Sequence, residues 1–165
     1  MGVHLRFVTS GDAVSDLIRR GCYGFWATHT EAAMPDGTLL GAHANGGVQA
    51  RAADYDAGQW TQQLFIDLPA TARQADAFHA FMRSQIGRPY DMRVIEAIAA
   101  GALLGERDWR APDHWICSEL VAAGLETAGI VPPLATGVNH ITPRDVLIFC
   151  SARVPVGIPT NKVTS

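Results

Sequence analysis

Two kinds of spacing divide the chain. Up to Leu68 short apolar runs alternate with turn residues, and after Pro69 apolar residues recur at helical spacing. In the first part, Ser10-Gly11-Asp12 is a turn that caps a short helix over 13–20, closed by Gly21. Residues 25–34 have the length of a strand, Pro35-Asp36-Gly37 is a turn, and 38–43 read as the returning strand, so a β-hairpin is predicted. Gly46-Gly47 marks another turn before a third short strand over 48–52, and 63–68 alternate as a fourth. In the second part, Ala75, Phe78, Met82 and Ile86 make the inward stripe of a helix that Gly87 ends and Pro89 keeps from continuing. Asp91 caps a predicted helix reaching about residue 104, and 105–112 read as a polar loop. A third helix covers 117–128, with Leu120, Val121, Gly124, Leu125 and Ala128 inward and Gly129 as its stop. Residues 146–150 read as an apolar strand, continued by 154–156 beyond a kink. Strands, then helices, then a last strand predict a single α+β domain over 1–158, with 159–165 as a disordered tail.

Composition narrows the classes of function. Hydrophobic residues at 48% and charged residues at 18% describe a globular chain. A net charge of −3, with no basic run or basic helix face, gives no electrostatic case for nucleic acid or an anionic membrane. The most apolar stretch, 94–104, falls short of the roughly 18 residues a membrane span needs and contains Glu96. The first residues lack a charged segment followed by a long apolar one, so a cytoplasmic protein is expected. Three cysteines without a Cys-x-x-Cys pair argue against a disulfide framework. Six histidines scattered along the chain, with no His-Glu-x-x-His, predict no structural zinc site and no other metal.

Candidate chemistry centres on one cysteine. Cys22 and Cys150 lie among apolar neighbours and read as small buried hydrophobes. Cys117 instead stands where a loop enters a helix, and there unpaired backbone N–H groups and the helix dipole favour a thiolate and a developing oxyanion. A thiolate nucleophile needs a base, and the base needs an orienting group. His29, held mid-strand, is the candidate base. His43, on the returning strand, is a cross-strand candidate for the orienting role. Glu31 is another, since it shares a face with His29 at a two-residue repeat, and Asn45 is a third. His4, His79, His114 and His140 need no special role.

Four segments together resemble one family pattern. "GRPYD" at 87–91, "WICSELV" at 115–121, "AGIVPP" at 128–133 and "ITPRDVL" at 141–147 resemble the NlpC/P60 papain-like cysteine peptidases. In the ordinary family the histidine strand follows the cysteine helix. Here "SGDAVSDLIRR" at 10–20 and "WATHTEAAMPDG" at 26–37 place it upstream, which resembles the circularly permuted branch that includes the YiiX-like and lecithin:retinol acyltransferase groups. The resemblance covers most of 10–150 and implies a papain-like fold with an antiparallel sheet packed against helices. It implies Cys117 as nucleophile, His29 as base and His43, in "LLGAH", as the third polar member, with Tyr90 lining the site. Two departures are visible: the histidine strand continues as the polar "HTEAAM", so Glu31 is an alternative to His43, and Ile116 replaces the family's acidic residue before the cysteine. Trp115 and Ile116 are expected to form an apolar lip, and Ser118 to join Trp115 and Tyr90 in lining the substrate site.

The expected function is thiol hydrolysis, as a peptidase or amidase, of a peptide amide or lipid-linked amide or ester through an acyl-enzyme, with no cofactor. Acyl transfer to a lipid-linked substrate and a non-catalytic ligand-binding module are the alternatives.

Overall fold

The computed structural model describes residues 2–93, 113–133 and 141–154. The predicted features at 94–104, 105–112, 155–156 and 159–165 lie outside them, as does His140.

The chain begins with a strand that the sequence reading did not identify, β1 (Gly2–Ser10). Its residues alternate: Val3, Leu5 and Phe7 are fully buried in the core, while His4 and Arg6 point the other way. Asp12 then caps α1 (Ala13–Gly21) by accepting a hydrogen bond from the Ser15 amide. The predicted hairpin forms as β2 (His29–Ala33) and β3 (Leu39–His43), with Ala32 opposite Leu40 and Ala33 opposite Leu39. The first hairpin strand is shorter than expected, starting at His29 instead of residue 25. β4 (Gly47–Arg51) follows, and β5 (Trp60–Pro69) extends the predicted fourth strand at both ends.

The five strands pair antiparallel in the order β4-β3-β2-β1-β5. The unforeseen β1 is therefore an inner strand, the one that joins the hairpin to β5. The helices α2 (Ala72–Ser84) and α3 (Cys117–Thr127) supply Phe78, Met82, Leu120 and Leu125 to the core shared with Leu5, Leu40 and Ile66. Burying each such side chain is worth about 1.5–3 kcal/mol. The two helices approach closely at Gly124, where an added Cβ would lie 2.9 Å from the Phe78 ring. Ile86 does not continue the α2 stripe; it lies past the helix end and is half exposed.

Residues 146–150 are helical, not extended, and belong to α4 (Pro143–Ser151). Thr142 and Asp145 close a reciprocal cap, and Pro143 has its φ preset for a first turn. Val146, Leu147 and Cys150 are buried at helical spacing while Ile148 is 49% exposed, a distribution a two-residue repeat does not give. The result is an α+β architecture, an antiparallel sheet covered by helices. No helix among the described residues is long and apolar enough to cross a membrane.

Candidate active site

The site begins with register. Antiparallel pairing puts Arg6 opposite Glu31 and Val8 opposite His29. Glu31 carries a fully buried carboxylate, which costs heavily unless paired. Arg6, also buried, donates from Nη1 to Glu31 Oε1 at 2.8 Å and from Nη2 to both Asp56 oxygens at 2.8 Å, and its Nε donates to Gln63. The Tyr55 hydroxyl lies 3.4 Å from Glu31 Oε2. Glu31 also needs Gly41 across the hairpin, because a Cβ there would sit 2.9 Å from the Glu31 Cβ.

With Oε1 held by Arg6, Glu31 turns Oε2 toward two imidazoles. His29 Nε2 and His43 Nε2 each lie 3.6 Å from it. The two rings are 4.9 Å apart between centroids, and both Nε2 atoms are buried without a hydrogen-bond partner among the described residues. The two imidazoles thus converge on one carboxylate oxygen instead of bonding to each other.

Cys117 opens α3, which packs against β2 and β3. Its N-cap is Ile116, whose side chain has no acceptor for the first-turn amides. A backbone relay fixes this end of the helix. Val48 of β4 donates to the Arg88 carbonyl and accepts from the Gly87 amide. Trp115 then donates to the Pro89 carbonyl and accepts from the Asp91 amide, forming a parallel bridge between Tyr90 and Trp115. Gly47 is required for this approach: its φ is +71°, and a Cβ there would lie 2.2 Å from the Arg88 carbonyl oxygen.

The charges follow from this packing. Burial alone lowers the His29 pKa, but the neighbouring Cys117 sulfur, and then the Glu31 carboxylate, lift it to about 10. Burial pushes the Glu31 carboxyl up, and the imidazoles of His29 and His43 with Arg6 more than offset this, holding it below its usual range. Burial and the neighbouring charge of His29 bring His43 down to about 3, despite Glu31. Burial, then the charge of Cys117, raises the Tyr90 phenol well above its usual range. The arrangement is an imidazolium between a sulfur and a carboxylate, beside a neutral second imidazole.

The other predicted residues divide. His29, His43, Asn45 and Tyr90 line a cleft of about 260 Å³. Asn45 sits in the exposed β3–β4 turn and uses its carbonyl to accept from Gln49 and Arg51. Trp115 is half-buried and donates its indole N–H to Gln85. Ile116 forms no exposed lip; it is buried against Ile18 and Cys22. Ser118 is fully buried in α3, so it does not border the cleft. Cys117 is 2% exposed, and Cys22 and Cys150 are buried free thiols as expected. The sequence reading missed Arg6, Tyr55 and Asp56. The alternation Val3-His4-Leu5-Arg6-Phe7 was the available signal for Arg6.

No protein-family model matches the sequence, and no curated protein matches it. Among solved structures, the crystal structure of the metalloprotein YiiX from Escherichia coli O157:H7 is similar in fold, with a TM-score of 0.60 at 15% identity over 99% of this chain and 87% of that one. The chain has a YiiX-like, papain-like α+β fold.

Proposed function

We propose that this protein is a thiol hydrolase of the circularly permuted NlpC/P60 type, acting on an amide or ester carbonyl. The observation that carries the reading is the His29 ring, flanked by the Glu31 carboxylate of its own strand and by the Cys117 sulfur from the start of α3, far away in sequence. Cys117 is the nucleophile, His29 the base, and Glu31 the residue that orients and charges His29. His43, neutral beside them, takes no proton in this scheme.

In the reaction His29, as the imidazolium, already holds the Cys117 proton, and the sulfur forms a bond to the carbonyl carbon as the carbonyl π electrons move onto the oxygen. The first-turn amides of α3, left without a side-chain cap by Ile116, face the developing oxyanion. His29 then returns the proton to the leaving amine or alcohol as the C–N or C–O bond breaks, and water resolves the thioester. The cleft beside His29 and Tyr90 suits a small peptide, amide or lipid-linked acyl substrate.

The test is the intact mass of the protein after exposure to a panel of acyl amides and esters. An acyl adduct on wild type that is missing from Cys117→Ala is expected. Equal acylation of the two proteins refutes the reading.

A further inference from the structure

The scheme above uses His29 and Glu31 but leaves the geometry of His43 unexplained. A buried histidine ordinarily finds a hydrogen-bond partner for each ring nitrogen. Here His29 Nε2 and His43 Nε2 both lack one among the described residues, and both are aimed at Glu31 Oε2. The three donor atoms lie within 4.8 Å of one another. A tetrahedral zinc ion, with bonds of about 2.0–2.2 Å, holds its donors roughly 3.3–3.6 Å apart. The two separations from Glu31 Oε2, 3.6 Å each, meet that requirement before any movement.

The surroundings fit as well. Arg6 engages Glu31 through Oε1 and leaves Oε2 as a single donor. A ligating carboxylate held by a neighbouring hydrogen bond is the usual supporting arrangement. Two imidazole nitrogens and one carboxylate oxygen are donors that suit zinc and other late divalent ions, with a further position left for solvent. Sequence spacing could not reveal this set, since His29 and His43 meet only through the hairpin register.

We propose that His29 Nε2, Glu31 Oε2 and His43 Nε2 form a divalent transition-metal site whose occupancy silences Cys117. The second half rests on the thiol reading and follows from electron-pair counting. A neutral imidazole has one lone pair. When His29 gives it to a metal, its other nitrogen carries the ring proton, and none remains to accept the Cys117 proton. Metal binding and base catalysis therefore exclude each other, and the ion acts as a reversible inhibitor of the thiol.

The experiment titrates Zn²⁺ alone onto chelator-treated full-length chain. Bound zinc is measured by elemental analysis after gel filtration, and the iodoacetamide labelling rate of Cys117 is followed with and without Zn²⁺. One zinc per chain is expected in wild type and in Cys117→Ala, with affinity at least about tenfold weaker in Glu31→Gln and His43→Gln. Circular dichroism confirms that each variant is folded, and His43→Ala provides a second removal of that donor. Labelling of wild type should slow at least about tenfold with zinc bound, a ratio that His43→Gln brings back toward one. Zinc lost from Cys117→Ala but kept by His43→Gln, or no zinc bound by wild type, overturns the site. Unchanged labelling of the zinc-loaded wild type overturns the silencing. Acylation of metal-free protein tests the hydrolase reading and zinc retention by Cys117→Ala tests the site, so the two fail independently.

Discussion

Arg6 and Glu31 face each other across β1 and β2 as a fully buried ion pair with a 2.8 Å contact, and each is held from its other side. Asp56 and Gln63 hold the guanidinium, while His29 and His43 border the carboxylate. The pair fixes the rotation of Glu31, and through it the oxygen offered to the imidazoles. Glu31→Gln keeps the shape and removes the charge. We expect about 3–5 kcal/mol lower stability by chemical denaturation, the range for breaking one side of a buried pair. In metal-free protein the alkaline limb of the activity profile should move to lower pH, because Glu31 is one of the two groups that raise the His29 pKa. An unmoved limb in a folded variant removes Glu31 from the orienting role.

His29 makes stability depend on alkaline pH. Its pKa is near 6.5 when unfolded and about 10 when folded, so the folded state binds more protons between those values. The stabilisation is complete below pH 6.5 and is lost as pH rises toward 10. The thermal midpoint of metal-free protein should therefore fall across this window, and His29→Asn should flatten the fall. The same slope in both proteins would assign it to other groups.

His43 works in the opposite direction. Its folded pKa of about 3 lies below the unfolded value of about 6.5, so between them the unfolded chain holds the extra proton. Its neutral form favours folding above pH 6.5, and this contribution is lost as pH falls toward 3. Histidine proton resonances recorded by NMR between pH 4 and 6 should show His43 neutral. His43→Gln should reduce the acid sensitivity of unfolding.

Gly41 is a steric requirement of the site. Gly41→Ala would put a methyl group 2.9 Å from the Glu31 Cβ, in a strand where neither side chain can swing aside. Overpacking of this kind costs about 1–3 kcal/mol. The displaced carboxylate should also lower acylation of Cys117 more than the loss of folded protein explains, measured as rate per folded molecule.

Much of this was readable from local pattern. The hairpin at Pro35-Asp36-Gly37, the α2 stripe and the helix start at Cys117 rest on neighbouring residues, and the structure has all three. The apolar run at 146–150 was ambiguous because five consecutive apolar residues suit either a strand or a helix, and the deciding signal lay just before it in Thr142-Pro143-Arg144-Asp145. The alternation of β1 was present but overlooked, and Arg6 went with it. The grouping of His29, Glu31 and His43 about one oxygen is a property of register, so single residues announce the chemistry but not its convergence.

The backbone relay from Val48 through Arg88 and Pro89 to Trp115 bears on how this protein can vary. The thiol is referenced to the edge of the sheet by peptide hydrogen bonds on both sides of the Tyr90–Trp115 bridge, and these bonds require no particular side chain beyond Gly47. The side chains of Val48, Arg88, Pro89 and Trp115 are thereby uncoupled from the distance between sulfur and imidazole. Substitutions at those four positions that keep the peptide path leave the sulfur where it is, so the sequence beside the thiol is free to change where its geometry is not.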